Sequence, residues 1–343
     1  MDRQKGCPCC TFLLDDLFLP PSLKSSDDDV IESSSMDLPM DPKAAVNLLM
    51  SRASLNITIL VDSHGHAQLE RDADENYTLE KQSSSQGSLQ LMSITCAVEP
   101  KDWEDTLRYA SKSTSILPAL GVHPWYLEGL PNNWLEELEK LLLEHPSAIV
   151  GEIGLCKMAR WVRQHPEGKA VALAIQREVF KKQFILAARL RRPVSVHCVN
   201  QHGVFVSVMK EIRDSAESDE DVSILFPPAI AMHSFTGTAH HVNELTKLEK
   251  TIVKGKPLFY FGFSHSVNFA MCTSDKSRRK AREAVRAVPS DRLLVESDVH
   301  ASDDLLAGTA GAIAYVAWAR EQELIAIASL SSQNGQHFLA MQH

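Results

Sequence analysis

Short apolar runs alternate along the chain with longer amphipathic segments from Ile57 onward. Runs of this length and composition are typical of buried strands, and the segments between them place apolar residues at helical spacing. The predicted strands begin at Ile57 and continue at 91–96, 116–121, 148–154, 193–198, 229–232, 258–263 and 292–295. The clearest predicted helices cover 103–111, 133–145, 170–190, 204–213 and a closing stretch, 302–341. Eight consecutive βα units predict an α/β fold of the closed (β/α)8 TIM-barrel type.

Two segments interrupt this pattern. Residues 1–52 combine Ser- and Asp-rich runs with scattered prolines, which is typical of a flexible leader. Residues 70–88 are a polar insertion after the first strand. We therefore predict an N-terminal leader over 1–52 and one barrel domain over 53–343.

Composition narrows the class of protein. A hydrophobic content of 44% and a charged content of 23% are typical of a soluble globular protein. The net charge of −9 disfavours a protein that coats nucleic acid non-specifically, yet allows an enzyme that acts on a phosphodiester end through metal ions. Seven cysteines without framework spacing indicate free thiols in a reducing compartment. With no signal peptide or transmembrane run evident, we predict a cytoplasmic or nuclear location away from membranes.

The first strand ends in Asp62-x-His64-x-His66. On an extended chain alternate side chains share a face, so these three groups would point the same way. Two imidazoles at this spacing can hold one divalent ion, and the Asp62 carboxylate could fix their ring orientation. The alternative is a strand that simply ends in a polar turn, because short motifs also match by accident.

Later strands end in the same manner. Their terminal polar groups are His123, Glu152, His197, His233 and Asp298. In a barrel all these ends share the C-terminal rim, where active sites lie. Each residue alone has a structural explanation, such as a helix cap for Glu152 or Asp298. Four of these five histidines and the two acids would supply six ligands, which is the number expected for two divalent ions bridged by a carboxylate.

The ordered motifs resemble the TatD family of metal-dependent deoxyribonucleases. They are 62–66, 121–124, 151–155, 197–198, 233–237 and 296–298, with 261–264 and Asn334 also fitting. The residues at 194–199 and 202–203 more closely resemble those of the eukaryotic branch that includes the Cut9-interacting protein. The resemblance implies an amidohydrolase-type barrel with two divalent ions. It also implies hydrolysis of DNA phosphodiesters, as a 3′–5′ exodeoxyribonuclease, by a metal-activated water.

The resemblance also implies a role for each residue. The metal ligands would be His64, His66, Glu152, His197, His233 and Asp298. Glu152 would bridge the ions, and Asp298 would accept a proton from the attacking water. His123 would meet a substrate phosphate. The ions would be Mg²⁺, Mn²⁺ or Zn²⁺ and the substrate a DNA 3′ end; we expect a monomer, with a protein partner left open.

One position departs from the family pattern, which commonly has Asp where this chain has Cys156. A thiol is a weaker acceptor than a carboxylate, so metal affinity or rate would fall by about 10–100-fold if this side chain, like Asp62, supports a ligand. Alternatively Cys156 contacts a soft metal such as zinc, or is simply tolerated. The segment 157–168 adds basic and aromatic residues that would hold a nucleic-acid end, or form a solvated loop.

Two other functions stay open from sequence. One is an amidohydrolase-like enzyme acting on a small substrate; several such barrels use a carboxylated lysine as the bridge, whereas Glu152 takes that position here. The other is a weakly active or inactive barrel that serves as a protein-binding module. A binding module has no physical need for six intact ligands, so the nuclease interpretation is favoured.

Overall fold

The protein forms one eight-stranded parallel sheet, in a computed structural model that describes residues 38–52, 59–70, 89–218 and 222–341. The strands neighbour each other in chain order: β1 Ile59–Gly65, β2 Gln90–Cys96, β3 Ile116–Leu120, β4 Ile149–Cys156, β5 Val194–Val199, β6 Ile230–Met232, β7 Phe259–Phe263 and β8 Leu293–Val295. The predicted α/β barrel is confirmed.

Helices surround the sheet. They are α1 Pro42–Arg52, α2 Trp103–Ala110, α3 Trp134–Glu144, α4 Arg160–Gln164, α5 Lys169–Arg189, α6 His202–Asp214, α7 Ala239–Glu249, α8 Asp275–Ala287, α9 Leu305–Arg320 and α10 Leu324–Ala340. Phe180, Phe184 and Phe205 are fully buried in the layer between helices and strands. Each such ring contributes about 1.5–3 kcal/mol of burial free energy. Within the described ranges, every helix is too short or too polar to cross a membrane.

The barrel is closed by the segment that follows β8. The backbone N–H of Asp298 donates to the carbonyl of His64 at 3.0 Å, and that of His66 donates to Val299 at 2.8 Å. A second cluster of buried apolar side chains, which includes Ile94 of β2 and Tyr260 of β7, is formed largely by residues of the strands. The carboxyl ends of the parallel strands therefore meet at one rim, as the sequence pattern predicted.

Part of the predicted leader is structured. Residues 42–52, which we assigned to the leader, form α1, and Ala45 and Leu49 on one face of this helix are buried against α9. A helix this short is marginal alone and depends on tertiary packing for its stability, so its local pattern was a weak signal. Residues 1–37 of the leader and 71–88 of the insertion lie outside the described residues, and the domain boundary itself stays a prediction.

The closing stretch, predicted to be helical over 302–341, is helical and divides into two helices. The chain turns at Glu321, which has a left-handed φ of 56°. No Gly or Pro marks this position, so composition gave no stop signal. Arg282 and Arg286 of α8 hold the Glu321 carboxylate at 3.0 and 2.6 Å. Tertiary contacts therefore accompany a turn that has no local sequence signature.

Candidate metal centre

Glu152, within β4, lies at the centre of the rim and is 2% exposed. Its two carboxylate oxygens are surrounded by five imidazole nitrogens within 3.4 Å. Oε1 is 3.2 Å from His123 Nε2, 2.9 Å from His197 Nδ1 and 2.8 Å from His233 Nε2, while Oε2 is 3.4 Å from His64 Nε2 and 3.3 Å from His66 Nε2. The structure thus brings together histidines from four different strands around one carboxylate.

The Glu152 carboxylate and the surrounding imidazoles shift each other's pKa values. Burial raises the pKa of Glu152, but the surrounding imidazoles, His123 and His233 foremost, outweigh burial and hold the pKa well below its ordinary value. Burial lowers the pKa of His233, yet Glu152 outweighs it and raises the pKa well above its ordinary value. The buried carboxylate therefore has to be balanced by positive charge, which either protons on imidazoles or a cation supplies.

Outer hydrogen bonds determine which nitrogen of each β1 histidine faces Glu152. His66 Nδ1 lies 2.8 Å from the Cys96 carbonyl, which can only accept, so Nδ1 carries the proton and Nε2 presents its lone pair inward. His64 Nδ1 lies 2.8 Å from Ser195 Oγ, and its Nε2 faces inward as well. Metal-binding histidines have this arrangement, with the second nitrogen donating to a polar group. The donor set therefore fits divalent cations.

Asp298, which follows β8, completes the ring of predicted ligands. Its backbone is left-handed, with φ 53°, and its Oδ2 accepts a hydrogen bond from Ser234 Oγ at 2.9 Å. Oδ1 is 3.9 Å from His66 Nε2 and has no hydrogen-bond partner among the residues described. Burial raises the pKa of Asp298, but the neighbouring histidines outweigh it and lower the pKa, so the carboxylate is charged. An unusual backbone conformation that points a free carboxylate oxygen at the cluster is typical of a functional position.

His123 has a different ring orientation. The backbone N–H of Trp125 donates to its Nδ1 at 3.2 Å, so Nδ1 carries the lone pair and Nε2 carries the proton. Burial lowers the pKa of His123 to about 4. The ring is thus a neutral hydrogen-bond donor aimed into the site, which suits a contact with a phosphate oxygen better than metal ligation.

Asp62 does not hold the histidine rings. Its Oδ1 accepts from the backbone N–H of Ser297 at 2.8 Å and from that of His64 at 3.3 Å. Burial raises the pKa of Asp62 to about 7. The predicted support of the rings is instead provided by Ser195 and Cys96, because the pairing of β1 shifts register after Asp62 and the simple alternation assumed from sequence is broken there. Asp62 joins the backbone of β1 to the segment that follows β8.

Glu296 was part of a motif but received no role from sequence. It is 1% exposed, and it accepts from the backbone N–H of Ser234 and from Ser63 Oγ, the latter at 3.0 Å. His233 Nδ1 lies 3.6 Å from Glu296 Oε1, so this carboxylate faces the outer nitrogen of a predicted ligand. A Cβ at Gly262 would collide with the Glu296 carboxylate. A glycine inside β7 was the available signal, since such a glycine often marks a close approach.

Cys156 lies behind His197, much as Glu296 lies behind His233. Its Sγ accepts from the Trp125 indole N–H at 3.2 Å, and its thiol interacts with the outer side of the His197 ring. Burial raises the pKa of Cys156, but the charge of His197 outweighs it and the net shift is downward. A Cβ at Gly154 would collide with the His197 carbonyl, so glycine permits this close approach of β4 to β5. Cys156 is therefore placed to orient His197.

We expect Cys156→Asp to strengthen divalent-metal binding by about tenfold and Cys156→Ala to weaken it, because a carboxylate accepts from both Trp125 Nε1 and His197 Nε2. Metal dissociation constants are measured by calorimetry on each purified variant. Cys272→Ala, which changes a half-buried thiol after β7, is the control and should leave the constants unchanged. Equal affinities in all Cys156 variants would show that this side chain does not support a ligand.

A small cavity, partly open to solvent, lies over the cluster. His123, Thr236 and Val267 are among the residues that line it. The predicted basic segment at 157–168 lies nearby but is partly folded as α4, and the Trp161 indole N–H donates to the Pro124 carbonyl at 2.7 Å. Trp161 is therefore committed to packing, and a contact of this segment with nucleic acid stays a prediction. Asn334 does not line this cavity. Its side-chain amide donates to the carbonyl of Ser290, before β8, and to that of Leu293, the first residue of β8.

Sequence comparison gives a family match over most of the barrel. The profile described as TatD related DNase matches residues 61–327. The Cut9-interacting protein scn1 of Schizosaccharomyces pombe is 25% identical over 259 residues, which are 55% of this chain and 73% of that protein. The 3′-5′ ssDNA/RNA exonuclease TatD of Erwinia tasmaniensis is 27% identical over 178 residues, 52% of this chain and 56% of its own length. For several relatives the match covers less than two thirds of their length.

Structural comparison supports the fold. The crystal structure of YJJV, a TatD homolog from Escherichia coli, superimposes with a TM-score of 0.62 at 20% identity and covers 82% of this chain and 97% of its own. At this identity the likeness establishes the barrel alone.

Proposed function

Since the chain belongs to the TatD-related DNase family of metal-dependent hydrolases, we propose that it is a two-metal phosphodiesterase that shortens single-stranded DNA from the 3′ end. The observation that carries the proposal is the buried Glu152 carboxylate with five imidazole nitrogens within 3.4 Å. A site of this composition at the carboxyl rim of a barrel is suited to hydrolytic chemistry.

The ligands would be shared between two cations. The histidines of β1 with Asp298 form one group, and Glu152 reaches both this group and the remaining histidines. The residues that would hold the ions are His64, His66, Glu152, His197, His233 and Asp298. Divalent cations bound there would lower the pKa of a water molecule and stabilise negative charge on the phosphate oxygens.

The chain's own residues provide the remaining chemistry. Asp298 Oδ1, which has no hydrogen-bond partner among the described residues, would accept the proton of the attacking water. Ser234 holds the other carboxylate oxygen and so fixes the direction of Oδ1. The neutral His123 would donate from Nε2 to a phosphate oxygen, which positions the phosphorus for attack.

The cavity above the cluster is partly open to solvent. Thr236 is among the residues that line it, and its Oγ1 donates to the Cys198 carbonyl at 3.3 Å. The terminal phosphodiester of a strand would reach the cluster through this opening.

The proposal is tested with a 5′-labelled single-stranded oligodeoxynucleotide and added Mg²⁺ or Mn²⁺. We expect a ladder that shortens from the 3′ end, strong inhibition by EDTA, and protection by a 3′-terminal phosphorothioate linkage. RNA of the same sequence is run alongside to compare the sugars. His240→Ala, an exposed histidine of α7 outside the cluster, is the matched control. Cleavage in EDTA, or internal cuts in a 3′-protected strand, would contradict the proposal.

A further inference from the structure

The helix α8 concentrates positive charge in a chain that is acidic as a whole. The segment α8, Asp275–Ala287, carries six Lys or Arg residues and two acidic ones, whereas the whole protein has a net charge of −9. Because α8 follows β7, its first turns lie at the carboxyl rim of the barrel. A concentration of positive charge at this place needs an explanation that the packing of the barrel does not give.

The two sides of α8 differ in what they contact. Toward α9, Arg282 lies over the Trp318 ring at 4.4 Å, and it shares the Glu321 carboxylate with Arg286. On the other side Lys276, Arg279 and Lys280 are exposed, and in the described part of the chain they form no ion pair or hydrogen bond. The spacing i, i+3, i+4 places these three side chains on one helical face. This face is therefore available to a partner.

Packed rings connect this face to the cavity. Phe235, whose neighbour Thr236 lines the cavity, meets the edge of the His202 ring at 5.4 Å. His202 in turn stacks on His241 at 5.0 Å. Lys280 lies on α8, which packs against α7, the helix that carries His241. The first turns of α6 and α7 therefore lie between the cavity and the basic face of α8.

His241 presents a hydrogen-bond donor at this junction. The backbone N–H of Thr238 donates to its Nδ1 at 3.1 Å, so Nε2 of the neutral ring carries the proton. The nearest opposing charge is Glu244, which is already engaged by His240 at 3.4 Å and Lys210 at 3.9 Å. A donor on α7, which packs against α8 and its cationic face, favours an anionic partner when the nearby Glu244 carboxylate is already engaged.

We propose that Lys276, Arg279 and Lys280, together with His241, bind the phosphate groups of a single-stranded nucleic acid whose 3′ end reaches the cavity. The inference rests on the proposed function for the identity of the strand and deepens it by assigning the direction in which the strand leaves the site. Cationic side chains along a path bind phosphates without reading sequence. The surface therefore gives a preference for chain length, not for base identity.

The test uses Lys280→Glu and Arg279→Glu in the full chain. Binding of fluorescein-labelled oligodeoxythymidine of about 12 nucleotides is followed by anisotropy in EDTA, where no cleavage occurs. Each variant is expected to raise the dissociation constant by about tenfold at low salt and to reduce the salt slope by about one. Lys250→Glu, with the same charge change at the opposite end of α7, is the control and is expected to have a much smaller effect.

A second readout separates this inference from the proposed function. The ratio of kcat/KM on the oligonucleotide to kcat/KM on bis(p-nitrophenyl) phosphate, which has no second phosphate, should fall by about tenfold in Lys280→Glu. If both phosphodiesters are cleaved but binding and ratio match those of Lys250→Glu, the strand path is wrong and the proposed function stands. If Lys280→Glu weakens strand binding, Lys250→Glu does not, and no phosphodiester is cleaved, the binding surface stands and the proposed function is wrong.

Discussion

Glu152→Gln should abolish stoichiometric binding of divalent cations and lower phosphodiester hydrolysis on the order of 10³-fold. The carboxylate is the only group within 3.4 Å of all five inward-facing imidazole nitrogens in the described cluster. An amide of the same shape has one acceptor oxygen and no charge, so it neither bridges two cations nor balances their charge. Metal content is measured by mass spectrometry after dialysis, and activity on the labelled oligonucleotide.

Glu249→Gln is the matched control, because Glu249 is an equally buried carboxylate at the far end of α7. Its oxygens accept from the backbone of Leu258 and Phe259, and it pairs with Arg292 at 2.8 Å. This change should cost about 1–3 kcal/mol of unfolding free energy while metal content stays at the wild-type value. In Glu152→Gln the melting temperature should no longer rise on addition of Mn²⁺. Retention of full metal content by Glu152→Gln would refute the bridging role.

Asp298→Ala and His66→Ala should each leave the barrel folded and reduce cleavage by about 10²–10⁴-fold. Asp298 combines a free Oδ1 aimed at the cluster with an Oδ2 fixed by Ser234, so its loss removes the predicted proton acceptor and a ligand together. His66 presents a lone pair that the Cys96 carbonyl orients. Circular dichroism melts establish folding, and single-turnover rates on the oligonucleotide measure the chemical step.

Asp291→Ala and His337→Ala serve as controls for these two changes, since both residues are exposed and lie away from the cluster. Their rates should match the wild type. Wild-type rates in both Asp298→Ala and His66→Ala would reject the assignment of this site, and a collapsed melting transition would show that the residues are needed for folding instead.

Several features were readable from local pattern. The βα alternation predicted the barrel, and β2, β3 and β5 begin and end within one residue of their predicted positions. The residues at the strand ends predicted the rim cluster, because parallel strands place their carboxyl ends together. The helix α1 and the turn at Glu321 were not readable, since both depend on packing against distant segments.

The roles of individual residues in the cluster were harder to predict from sequence. Asp62 was expected behind the histidine rings, but the register shift in β1 moved that support to Ser195 and Cys96. Glu296 lay inside a recognised motif, yet its contact with His233 appears only when the residues that follow β6 and β8 meet across the end of β7. Cys156 was identified as a departure, and the structure showed that it stands behind His197.

The sequence by itself determined the fold class and which side chains reach the rim, because strand and helix periodicity is set by neighbouring residues. Only the tertiary structure decided which nitrogen of each imidazole faces Glu152, since that depends on partners such as Ser195, 131 positions from His64, and Cys96, 30 positions from His66. The same holds for the basic face of α8. Its charges are visible in the chain, but their position beside the cavity follows from the closure of the barrel.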